Sequence, residues 1–154
     1  MSTSRHFLIA ITVAAGAGLL TFHFANAHSG ATGVVKERME MMKSMGNSMK
    51  ELAAMVRGKQ EYDAGRVRAI AASMQGHAKM IPAMFPKGSN KMPSEAKETI
   101  WSDPAGFASS AKALANYAGK LAGAADNQDA SKAAIGDLGK TCKSCHTGYR
   151  LKKQ

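Results

Sequence analysis

Aromatic residues make up only 6% of this chain and β-branched side chains are sparse, so a sheet core has little to be built from. Proline occurs 4 times in 154 residues, which leaves long stretches free to run as helix. Cysteine occurs twice, at Cys142 and Cys145, too close together to staple a small scaffold across a useful loop. Acidic side chains are also few, 11 against 21 Lys and Arg. The basic residues are spread from Lys36 to Lys153 rather than gathered in a run, and few aromatics interleave with them, so nucleic acid is not an expected partner. A solvated basic surface that steers encounters with an acidic protein partner accounts for the charge.

What the chain does have is Ala, Met and one apolar leader. Arg5 and His6 form a short basic start, Phe7 to Phe24 is mostly apolar, and Ala25-Asn26-Ala27 fits a small-x-small cleavage site. Residues 1–27 therefore read as a cleavable secretory signal peptide, with residues 28–154 as one exported domain and no stable membrane insertion after cleavage. An uncleaved anchor is the rival, but Gly16, Gly18 and the Ala-Asn-Ala exit favour cleavage. Of the formal net charge of +10, Arg5 in the leader contributes one.

Four helical stretches follow. The first runs from about Val34 to Arg57, with Val35, Met39, Met42, Met45, Met49, Leu52 and Val56 at spacings of 3 or 4 in one stripe, and Gly58 stops it. The second starts at the cap Asp63, carries Val67, Ile70, Met74, His77, Ile81 and Met84, and ends at Phe85-Pro86. Residues 86–102 are rich in Pro, Gly, Ser and Asn and read as a crossover, with a turn of helix near Glu98 to Trp101. The third helix has Ser102 or Asp103 as cap, Pro104 at its first position, and the stripe Phe107, Ala111, Leu114, Ala118 and Leu121. The fourth, capped by Asp126 or Asp129, repeats Ile135, Leu138, Cys142, Cys145 and Tyr149. The expected fold is all-α, an antiparallel up-and-down four-helix bundle. Its small Ala side chains leave space that something bulky and apolar must fill.

Cys142-Lys143-Ser144-Cys145-His146 names the filler. Positions i, i+3 and i+4 of a helix face one way, so two thiols can add to the vinyl groups of haem while the imidazole reaches the iron. A thioredoxin-like pair would follow a strand, and a zinc site would need a second cluster, so one haem c per chain, covalent through Cys142 and Cys145, is the expectation. His146 is then the proximal ligand.

In an up-and-down bundle the first and fourth helices are antiparallel neighbours, which puts the partner of His146 near Glu40 to Met42. Met42 is in the stripe and is a soft donor. Met39 and Met45 lie about a turn to either side, while Met41 is expected to point away by about a hundred degrees. A Met stripe without a haem would be read as core filler. His77, mid-helix and off level, reads as a core-edge histidine, and His28 would sit at a frayed terminus.

The run Cys142 to Arg150, the segment Ile100-Trp101-Ser102-Asp103-Pro104 with Phe107, and Arg38 followed four residues later by Met42 resemble the class II c-type cytochromes, the cytochrome c-prime family. The resemblance covers nearly all of residues 28–154 and implies a periplasmic four-helix bundle with haem near the C-terminus. It implies that position 42 faces the distal side of the haem. A Met there resembles the low-spin, cytochrome c-556 type branch, whereas high-spin members carry a non-ligating apolar residue. It also places Arg38 near a haem propionate; by itself Arg38 reads as a surface residue flanking the stripe. Arg150 either does the same or simply ends its helix favourably. Members of the family often dimerise through their first two helices, so a homodimer and a monomer are both compatible with the chain.

The function expected is one-electron transfer between acidic redox partners, with His146 and Met42 as axial ligands and iron cycling between Fe(II) and Fe(III). The rival is a gas binder for nitric oxide or carbon monoxide with an open or easily vacated sixth site. An enzyme is not expected, because no carboxylate pair, acid/base His or second metal site accompanies the haem signal.

Overall fold

The computed structural model describes residues 30–152, and the leader expected over residues 1–27 lies outside them. The elements are α1 Gly33–Val56, α2 Ala64–Met80, a 3-10 turn Ile81–Met84, a short α3 Thr99–Ser102, α4 Pro104–Ala124 and α5 Gln128–Tyr149. The only strand-like pairing among the described residues is an isolated antiparallel bridge, Ala96 to Arg150. No helix there is long and apolar enough to cross a membrane.

The helix ends follow from side-chain chemistry. Gly58 takes φ +69°, a conformation that suits a residue without Cβ, and Lys59 N–H bonds back to Ala54 O at 2.9 Å to close α1. Asp63 accepts from Arg66 N to start α2, and Asp103 accepts from Gly106 N with Pro104 leading α4. The cap of α5 is Asn127, whose Oδ1 accepts from Ala130 N, rather than either expected aspartate. Asp126 is drawn instead to Arg68 on α2 at 2.7 Å, and Asp129 falls inside the first turn.

The four long helices form a ring in which α2 lies along α4, α4 along α5, and α1 rests more on α5 than on α2. The expected stripes of α2 and α4 are largely in the core: Val67, Ile70, Met74 and Ile81 from one side, Phe107, Ala111, Leu114, Ala118 and Leu121 from the other. On α1 the buried set is Arg38, Met41, Met45, Leu52 and Met55, while Met39, Met42 and Met49 are half-buried. Met41, expected to point away, is therefore in the core. Methionines occupy so many neighbouring positions of α1 that spacing fixes a broad apolar face but not its rotation, which packing decides.

Buried polar contacts lock the end of the bundle remote from Cys142. The Tyr62 hydroxyl lies 2.6 Å from Ala125 O and 2.8 Å from Ser131 Oγ, and Ser131, fully buried, donates to Ala124 O.

Candidate functional site

Cys142, Cys145 and His146 stand on the last turns of α5, where spacing of three and four residues sets them along one side. Both cysteines are free and half-buried against the core. Burial pushes both thiols up from their ordinary pKa, with Cys142 adding to the effect at Cys145. The direction is opposite to that which activates the thiolate of a thioredoxin-like pair. His146 stands beside an open cleft lined also by Lys143, Thr147, Arg150, Leu151 and Lys152. Partial burial of the ring lowers its pKa, Arg150 lowers it further and Glu95 opposes them. Among the described residues, no group of three or more His, Cys, Asp or Glu side chains is placed to hold a metal ion by itself.

Met42 stands half-buried on α1, the helix antiparallel to α5. A Cβ added at Gly139 of α5 would lie 3.7 Å from Met49 Cε, so residues 49 and 139 are level where the two antiparallel helices pass. Both helices rise equally per residue, so seven residues along each in opposite directions brings Met42 level with His146. One turn beyond, Arg38 comes level with Arg150. His77, half-buried on α2, is on neither helix of this pair.

Arg38 is the surprise of the site. It is 4% exposed, not a surface residue flanking the stripe. Its guanidinium donates to Ser89 Oγ at 2.8 Å, Ser89 O at 2.5 Å, Ser94 Oγ and Met84 O, and stacks 4.5 Å from the centre of the Phe85 ring. Burial lowers its pKa from the usual arginine value, yet no carboxylate among the described residues pairs with it. A buried cation with only neutral acceptors is costly, and an anion brought beside it would repay much of that cost.

Arg150 is held differently. Its guanidinium meets the Glu95 carboxylate at 2.5 Å, and the backbone around it pairs with the crossover: Lys97 N to Tyr149 O, and Leu151 N to Glu95 O. Thr99 Oγ1 and Lys97 Nζ donate to Gly148 O and Thr147 O. Tyr149 donates to Asp103 Oδ2 and packs edge-on against Phe107, which packs in turn on Phe85. Ser89, Ser94 and Glu95 were invisible as site residues in the sequence, because a polar crossover offers no periodicity that would place them.

The sequence model of the Cytochrome C' family matches residues 33–150. The chain belongs to the cytochrome c-prime family. It is 41% identical over 122 residues to cytochrome c-556 of Agrobacterium tumefaciens (strain II Chrys), an alignment covering 79% of this chain and 99% of the relative. It is 34% identical over 144 residues to cytochrome c' of Rhodopseudomonas palustris, covering 93% and 97%. Among solved structures, the nitric oxide complex of a point mutant of cytochrome c prime from Alcaligenes xylosoxidans superposes with a TM-score of 0.71 at 33% identity, covering 78% of this chain and 94% of that one.

The cofactor of this cytochrome is haem c, and the residues present fit that group. Two thiols three residues apart with an adjacent imidazole, on the half-buried side of one helix, match what covalent haem attachment needs. The protein falls in the class of haem electron carriers and gas binders.

Proposed function

We propose that this cytochrome is a periplasmic one-electron carrier, six-coordinate and low-spin, with Cys142 and Cys145 anchoring haem c and His146 and Met42 as axial ligands. Bound there, haem c supplies a one-electron Fe(II)/Fe(III) couple. Cys142 and Cys145 anchor it by thioether bonds from the half-buried side of α5. His146 offers imidazole nitrogen and Met42 a soft sulfur, a pair that favours the ferrous form relative to harder donors. Half-buried Met49, beside Gly139, keeps water from the face between α1 and α5. Arg38 offers a propionate its Nε–H, the one guanidinium N–H that no described residue takes. Residues 1–27 direct export. Lys143 and Lys152, exposed beside His146, favour a redox partner with an acidic docking surface.

The observation that carries the proposal is the passing of α1 and α5 at Met49 and Gly139, from which equal helical rise brings position 42 level with position 146. A second reading, a high-spin nitric oxide or carbon monoxide binder, draws on the Alcaligenes complex and on Met42 being only half-buried. The ferric protein's optical and electron spin resonance spectra separate the two. A low-spin signal with a sulfur-to-iron charge-transfer band, lost in Met42→Ala, supports the carrier. A five-coordinate high-spin signal in the unmodified protein overturns it in favour of the gas binder.

A further inference from the structure

Two neighbouring residues of the crossover grip two arginines, one on α1 and one at the end of α5. Ser94 Oγ accepts from Arg38 on α1, and the Glu95 carboxylate accepts from Arg150 at the end of α5. Ser94 is buried, and its Oγ also takes Ala96 N–H at 3.1 Å, which fixes the turn between the two grips. The α1 grip is doubled by Ser89, through both its hydroxyl and its carbonyl. The α5 grip is doubled by the backbone pairs Lys97 N to Tyr149 O and Leu151 N to Glu95 O, and by Thr99 on Gly148 O. Asn90 bonds Glu98 across the loop and braces it internally.

The gripped arginines lie one turn, about 6 Å, from the level pair Met42 and His146. A single peptide unit between Ser94 and Glu95 thus ties α1 to α5 at the end of the bundle that carries Cys142, Cys145 and His146. These helices are less extensively packed on each other than α2 on α4 or α4 on α5. We propose that residues 89–99 form a strap whose positioning residues, Ser94 and Glu95, hold α1 against α5 at the spacing that keeps the Met42 sulfur on iron. This rests on Met42 being the distal ligand. Arg38 serves the strap through its terminal nitrogens and the cofactor's acidic edge through Nε.

The test is carbon monoxide binding to the reduced holoprotein, followed by stopped flow, with ferric spin state as a second readout. Wild type should bind slowly, because Met42 must leave first. Ser94→Ala and Glu95→Gln should each bind about tenfold faster, the factor expected when a hydrogen bond to a charged group is lost. Both should show a larger high-spin fraction, and Glu95→Asp should restore part of the wild-type behaviour. In a Met42→Ala background the strap substitutions should leave the already fast rate unchanged. Wild-type rates and spectra in both strap variants, or equal acceleration with and without Met42, would overturn the strap. A wild type that is itself high-spin and binds carbon monoxide as fast as Met42→Ala would overturn the ligand assignment, whatever the strap variants do. Helix content by circular dichroism confirms that the variants compared are folded.

Discussion

The two halves of the bundle are built on different terms. Between α2 and α4, alanines on both helices, Ala71 and Ala78 facing Ala111, Ala115 and Ala118, let the backbones approach closely, and Gln75 reaches across to Ala115 O. That half packs directly helix on helix, apart from a cleft lined by Ala78, Pro82, Ala108, Ala111 and Ala115. Between α1 and α5 the facing residues are half-buried methionines, the glycine at 139 and two half-buried thiols, and the helices touch less. Both halves bury core side chains, Leu52, Met55 and Leu138 among them, but only the second carries Cys142 and Cys145.

Substitutions can break or sharpen this contrast. The largest stability loss is expected from Leu121→Ala, which empties a fully buried site on α4 and should cost about 2–5 kcal/mol in denaturant titration while leaving the haem spectrum unchanged. A spectrum that changed as much as the stability would mean that the halves are not separable. Gly106→Ala comes next. A Cβ there would lie 2.6 Å from the Tyr149 hydroxyl and closer still to Asp103, so the cap of α4 and its tie to α5 must shift, at about 1–3 kcal/mol. Melting temperature measures it. Met42→Ala should reverse the ranking, costing less stability than Leu121→Ala because the side chain is only half-buried, yet changing the spin state outright.

The smallest effect is at the surface ion pair Glu51–Arg66. Arg66 holds the Glu51 carboxyl below its ordinary pKa, so its contribution is present above the unfolded-state value and is lost as pH falls through the folded one. Glu51→Gln should therefore remove a slight loss of stability on the acid side, and high salt should mask the difference. A large change on either count would show that α1 depends on this pair more than its exposed position implies.

Much of this was legible in the sequence. Asp63, Asp103 with Pro104, and Gly58 marked helix ends correctly, because capping is a contest among a few adjacent groups. Asn127 was missed because Asp126 answers to Arg68, which is 58 residues away in the chain. Arg38 read as exposed because a charged residue beside a stripe usually is; its acceptors, Ser89 and Ser94, come from a loop that no periodicity positions.

The sequence by itself determined the helical class of the described residues, most of the helix limits though not the end of α2 at Met80 or the cap of α5, and the run Cys142-Lys143-Ser144-Cys145-His146 on one side of the last helix, since spacing along a helix converts directly into direction. Only the tertiary structure decided how α1 is turned, sinking Met41 and leaving Met42 half-buried at the level of His146, and how the crossover joins Arg38 to Arg150. Rotation and long-range grip depend on which distant surfaces meet, and a helix apolar over so wide a face can satisfy several rotations equally until its neighbours choose one.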